Sequence, residues 1–146
     1  MLQVKKLNSN AIIPTCSHPG EDLGFDLYSD EDIELKPNVV TKVHTGIAAQ
    51  YVSDDAKYGL LVRDRSSMAS KGIMASAGVI DHSYTGELLI MLTYISHWSD
   101  WPYPIKKGDK IAQVLPIEVK TGVEIVEVPE LLNNTRGEKG FGSSGR

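Results

Sequence analysis

Gly78-Val79-Ile80-Asp81-His82-Ser83-Tyr84-Thr85-Gly86-Glu87, running on through Leu88-Leu89-Ile90-Met91-Leu92-Thr93-Tyr94, is the stretch on which the fold is read. A short apolar run enters a polar turn, a glycine follows, and a mostly apolar run leaves it. That order predicts a β-hairpin with Asp81 and Tyr84 presented at its tip. Working outward, strand-like segments recur at residues 3–7, 24–28, 39–48, 58–62, 110–117 and 123–128. Turn chemistry such as Ser29-Asp30-Glu31-Asp32, Lys36-Pro37-Asn38 and Lys107-Gly108-Asp109 separates them. Helical periodicity is confined to one short segment at residues 66–70. Many short strands with polar turns predict an all-β sandwich or barrel with one short helix.

The chain of 146 residues fits one domain, expected over residues 1–132, with a glycine-rich flexible tail at 133–146. Its apolar runs fall far short of the roughly 20 residues needed to cross a bilayer, so no membrane span is expected. The alternating N-terminus lacks the apolar core of a secretory signal, and a cytoplasmic address is the expectation. Cys16 is the sole cysteine, which excludes an internal disulfide. The four histidines show no metal-ligand spacing. A net charge of −4 without a basic run argues against nucleic-acid binding. A polyanion would need a local basic cluster or an accompanying cation.

Four clusters could carry chemistry. Asp81 is either a turn aspartate bonded to nearby amides or a functional carboxylate. Arg65-Ser66-Ser67 at a strand-to-helix junction offers a guanidinium, hydroxyls and free amides to phosphate oxygens, or else a serine N-cap beside a solvated arginine. Gln113 is expected on the same strand face as Ile111 and Leu115, where its amide needs a buried backbone partner or a ligand. The tail Gly140-Phe141-Gly142-Ser143-Ser144-Gly145 matches the spaced-glycine dinucleotide pattern only formally, because one residue follows it and no helix can form. It remains a strip of amides and hydroxyls with Arg136 nearby and one ring able to stack on a base. The aromatic stretch at residues 96–104 reads as a loop that packs its rings on the sandwich or makes a subunit contact.

Taken in chain order, and with residues 23–29 ahead of them, the four clusters resemble the five motifs of the homotrimeric dUTPase family. Leu23-Gly24-Phe25-Asp26-Leu27-Tyr28-Ser29 is similar to the first and Arg65-Ser66-Ser67-Met68-Ala69 to the second. Residues 78–87 are similar to the third, 108–113 to the fourth and 136–145 to the fifth. The resemblance implies a jelly-roll-like sandwich and hydrolysis of dUTP to dUMP and pyrophosphate, which keeps uracil out of DNA and supplies dUMP for dTMP synthesis. It further implies a homotrimer with shared active sites and an exchanged C-terminal arm.

Residue by residue, the resemblance implies that Asp81 activates the water attacking the α-phosphorus and that Tyr84 packs on deoxyribose and excludes a 2′-hydroxyl. Uracil would be read by backbone through Gly78, Val79, Ile80 and across to Leu89. Arg65, Ser66 and Ser67 would hold the α- and β-phosphates, with Gln113 near the phosphate or the water. Phe141 would cover the base, and Arg136, Gly142, Ser143 and Ser144 would close over the terminal phosphate. Mg²⁺ would be bound mainly by the triphosphate, touching Asp26 only through water. The chain departs from the family at Leu23, where a small residue is common, at Asp64, where proline often precedes the arginine, and at Ser67, where glycine is usual. The related dCTP deaminases carry a catalytic glutamate five residues after the hairpin glycine, and Met91 stands there in this chain. A dUTP-sensing or partner-binding protein that keeps the fold is the rival of a different class.

Overall fold

The computed structural model describes residues 1–96 and 100–132; His97, Trp98 and Ser99, and the tail residues Arg136, Phe141, Gly142, Ser143 and Ser144, lie outside that set. The described chain forms β1 (Leu2–Lys6), β2 (Phe25–Tyr28), β3 (Ile33–Leu35), β4 (Val40–Val43), β5 (Ile47–Tyr51), β6 (Tyr58–Arg63), α1 (Ser66–Ala69), β7 (Ile73–Ser76), β8 (Val79–Ile80), β9 (Ile90–Tyr94), β10 (Tyr103–Ile105) and β11 (Lys110–Glu118). They assemble as a four-stranded sheet in the order β2-β11-β6-β8, a three-stranded sheet β4-β9-β7, and the pairs β1-β5 and β10-β3. Every one of these pairings is antiparallel. The all-β expectation with one short helix holds.

The core joins the sheets. Leu27, Leu60, Val62 and Val114 of the four-stranded sheet form one buried cluster with Val43, Ile73, Ile90 and Leu92 of the three-stranded sheet, and with Leu35, Ile47 and Ile105 of the pairs. Burying such a side chain stabilises by roughly 1.5–3 kcal/mol, so the cluster supplies most of the force that stacks the layers. No described helix is long and apolar enough to cross a membrane.

Residues 78–87 do not form a hairpin whose arms pair with each other. β8 bonds to β6, whereas β9 bonds to β4 and β7, so the chain leaves one sheet and enters another across the turn. Gly78 makes that departure possible. Its carbonyl accepts from Val62 N–H at 2.7 Å, and a Cβ on Gly78 would collide with the Val62 carbonyl oxygen. The predicted strand at 39–48 is likewise divided into β4 and β5. Gly46 (φ +66°) turns the chain between them, and Thr45 Oγ1 donates to the Leu88 carbonyl at 2.7 Å.

The alternating segment 123–128 takes no strand conformation; Ile125 is 97% exposed. Alternation specifies a strand only where an edge is there to receive it. In the other direction, β3, β7 and β10 escape the sequence pattern, being three or four residues long. β10 begins inside the stretch read as an aromatic loop.

Replacing Gly78 by alanine forces β8 off β6. Urea denaturation of Gly78→Ala is expected to show a loss of about 1–3 kcal/mol, the usual cost of overpacking a closed site. A midpoint equal to wild type would refute the close approach.

Candidate active site

The four-stranded sheet brings three of the sequence clusters into one row. β11 lies between β2 and β6, and Gln113 stands opposite Asp26 on one side and Arg63 on the other. Two residues past the end of β6 the chain reaches Arg65, which occupies the N-cap position of α1 with extended backbone and no side-chain cap. The serine N-cap alternative therefore does not hold. Arg65 Nε instead meets Asp26 Oδ1 at 2.7 Å, while its Nη1 donates to Ser67 Oγ at 3.2 Å and to the Lys110 carbonyl at 3.4 Å. Among the described residues no ion pair joins Arg65 to its acidic neighbour Asp64.

Gln113 Nε2 donates to the Asp64 carbonyl at 3.0 Å, so the amide has found a backbone partner. Its register also differs from expectation. The pairing shifts between Lys110 and Ala112, which puts Ile111, Ala112 and Val114 all in the core and leaves Gln113 and Leu115 facing a recess. Gly24 is required beside it, since a Cβ there would lie 2.5 Å from Gln113 Oε1. The recess, about 410 Å³, is lined by Asp26, Arg65, Ser66 and Gln113 together with His18 and Asp22. Asp22 Oδ2 accepts from the His18 backbone N–H at 2.9 Å and lies 3.2 Å from its ring Nδ1. Those contacts, the backbone one first, hold the Asp22 carboxyl below its usual range.

The second cluster surrounds the turn after β8. Asp81 is exposed at its start, and its carbonyl accepts from Tyr84 N–H at 3.0 Å, closing a β-turn. The Tyr84 hydroxyl donates to the Glu87 carbonyl at 3.0 Å, folding the ring over Gly86, where a Cβ would come within 2.5 Å of that hydroxyl. Glu87 in turn ties down the β4–β5 crossover, accepting from Gly46 N–H at 2.8 Å and lying 3.0 Å from His44 Nδ1. Leu89 N–H bonds the Glu87 carbonyl at 3.0 Å. Val79 is 75% exposed, and β8 is the edge of its sheet, so one side of its backbone pairs with no strand among the described residues.

The two clusters sit at opposite ends of β6. Ile80 pairs with Leu60, and His82 Nδ1 lies 2.9 Å from the Tyr58 carbonyl, so Asp81 stands by the first residues of the strand. Arg65 lies seven residues further along, about 23 Å at ~3.3 Å per extended residue. One chain thus presents a phosphate-suited cluster and a carboxylate-bearing turn that cannot act on the same phosphorus.

The dUTPase family model matches residues 9–145 of the chain, nearly its whole length. This chain belongs to the dUTPase family. A deoxyuridine 5′-triphosphate nucleotidohydrolase of Clostridium novyi is 40% identical over 99% of this chain and 98% of its own. Another from Nautilia profundicola is 38% identical over 99% of both. Among solved structures, a mutant dUTPase of Staphylococcus bacteriophage 80alpha with dUpNHpp superposes with a TM-score of 0.84 at 28% identity, covering 100% of this chain and 99% of that one. A mutant dUTPase of phage phi11 of S. aureus, described with a structural Mg(II) ion, superposes at 0.76 with 28% identity over 91% and 99%.

Sequence reasoning missed Lys110. Its Nζ meets Asp26 Oδ2 at 2.7 Å and lies 6.0 Å from the centre of the Tyr28 ring. A lysine at the start of a strand looks like a solvated charge, and only the β2–β11 register places it on Asp26. The hydrogen bond to Asp26, opposed by partial desolvation, raises the Lys110 ammonium above its ordinary 10.5. A raised folded value means the contribution is complete below 10.5 and is lost as pH climbs through the folded value. Denaturation midpoints followed from neutral pH to above 10.5 are expected to fall less steeply at the alkaline end for Lys110→Met than for wild type. Parallel profiles would show that the pair adds nothing to stability.

Proposed function

We propose that this chain hydrolyses dUTP to dUMP and pyrophosphate in a site assembled from more than one copy, most simply a homotrimer. The observation that carries the shared site is the separation of Asp81 and Tyr84 from Arg65, Ser66 and Gln113 along β6. Exposed apolar side chains in residues 123–132, with Ile125 at 97% and Leu132 at 94%, support assembly, because a folded chain seldom leaves so much contiguous apolar surface in water.

In this reading the turn of one copy meets the recess of another. Tyr84, fixed by its bond to Glu87, offers a ring face to deoxyribose with no room for a 2′-hydroxyl. The diverging arms let Gly78, Val79 and Ile80 on one side and Leu89 on the other match the uracil edge, excluding cytosine by hydrogen bonding and thymine by size. Arg65, Ser66 and Ser67 take the α- and β-phosphate oxygens, with Gln113 beside them. Asp81 accepts a proton as the water oxygen bonds to the α-phosphorus, and the bond from that phosphorus to the α,β-bridging oxygen breaks, releasing pyrophosphate. Arg136, Phe141, Gly142, Ser143 and Ser144 would close over base and terminal phosphate, excluding water.

The donor set suits Mg²⁺ carried by the substrate. Among the described residues no three acidic, histidine or cysteine side chains converge on one point. Asp26 offers a single carboxylate whose oxygens are both engaged but can still accept from a water. Bound with the triphosphate, Mg²⁺ would neutralise charge on the phosphates. Met91, paired in register with Lys42 and Ser76 on β9, leaves no acid where deaminases have theirs.

Pyrophosphate release measured with dUTP, dTTP, dCTP and UTP in Mg²⁺ is expected to favour dUTP strongly, and Asp81→Asn is expected to lose turnover while still binding dUTP. Hydrolysis of the four at similar rates, or ammonia released from dCTP, would sink the assignment. The shared site has its own assay. Asp81→Asn and Arg65→Ala, each inactive alone, should regain part of the activity after being unfolded, mixed and refolded together, because some mixed assemblies pair an intact turn with an intact recess. No recovery would place the whole site in one chain.

A further inference from the structure

Asp26 is gripped on both carboxylate oxygens, by Arg65 Nε on Oδ1 and Lys110 Nζ on Oδ2, each at 2.7 Å. The grips differ in what else they reach. Arg65 extends to Ser67 and lines the recess beside Ser66, where phosphate would bind. Lys110 has no such reach: opposite Tyr28 in the β2–β11 register, it lies near the ring of Tyr28, whose hydroxyl is in turn bonded to Thr15. Its side chain is about one-third exposed, and its ammonium is paired with Asp26.

We propose that Lys110 is a positioning residue that bars Asp26 from coordinating a divalent cation directly, so that the cation enters only with the triphosphate and meets Asp26 through a water. This rests on the reading of Asp26 given above. With Arg65 and Lys110 both paired to it, the carboxylate sits in a cluster of net charge +1. A bare divalent ion at the ~2.0–2.1 Å of a direct Mg–oxygen bond would stand against two like charges a few ångströms away. Keeping one water layer moves the ion outward, and the phosphates then supply the negative charge that the cluster lacks. Without Lys110 the Arg65–Asp26 pair is neutral, Oδ2 loses its partner, and the carboxylate can take a metal unaided.

Mn²⁺ binding to the substrate-free full-length protein, followed by loss of the free-ion paramagnetic resonance signal, tests this without any turnover. Lys110→Met is expected to bind Mn²⁺ roughly tenfold more tightly than wild type, or better. Lys110→Arg should behave as wild type, and adding Asp26→Asn to Lys110→Met should abolish the gain. Equal Mn²⁺ affinity in wild type and Lys110→Met, or a gain that survives Asp26→Asn, would overturn the proposal. If circular dichroism shows Lys110→Met unfolded, Lys110→Gln, which also removes the charge, carries the same comparison. dUTP hydrolysis by wild type, run alongside, reports separately on the reaction itself.

Discussion

Antiparallel pairing along β6 governs where everything else can be. The strand takes β11 on one edge and β8 on the other, and those two partners deliver different chemistry to its two ends. At its C-terminal end β11 and β2 line up Gln113 and Asp26 beside the chain that becomes Arg65. At its N-terminal end β8 delivers Asp81 into the turn. Both placements are fixed by backbone hydrogen bonds and a buried core, so neither can slide toward the other without inverting side chains across the sheet. On the proposed function, catalysis that uses both ends comes from association rather than from a hinge within one chain.

On the proposed reading, the recess is where a protein of net negative charge accepts a polyanion. Two cations share one half-buried acid beside it, Arg65 and Lys110 on Asp26, with Asp22 the other acid in its lining. Asp26 is 14% exposed, enough for a water to approach and too little for a lone carboxylate to be left unpaired. Arg65 emerges oriented: its Nε and Nη1 are committed within the protein, which fixes the plane in which the remaining donors face the recess. Orientation of this kind reduces the ordering needed when an anion arrives.

Much of this was legible in sequence, for physical reasons that can be named. Runs such as Tyr58–Arg63 and Lys110–Glu118 are long and bounded by turn residues, so both were legible as strands, although the shift between Lys110 and Ala112 puts Ile111 in the core and off the face of Gln113. The recess was half legible: Asp26, Arg65, Ser66 and Gln113 could be named, but the pairing of Asp26 with Lys110 depends on strand register, which no local pattern encodes. The turn at Asp81 was found as a turn, and its arms were misassigned to each other. Alternation tells which side of a strand is apolar and says nothing about which neighbour it joins. Residues 123–128 fail the same way, having the period of a strand and no partner edge among the described residues. Short β3, β7 and β10 owe their existence to their neighbours and carry too few residues to announce a period.

Glu87 serves two masters with one residue. Its carbonyl receives the Tyr84 hydroxyl, and its carboxylate holds the backbone of Gly46 at the bend between β4 and β5. The exposed ring and the buried framework are therefore mechanically in series. A push on Tyr84 from a bound sugar would be felt at a joint between two sheets, and slack introduced at that joint would loosen the ring. Random substitutions around residues 44–46, far in sequence from the turn, become a natural place to look for variants with altered discrimination between deoxyribose and ribose.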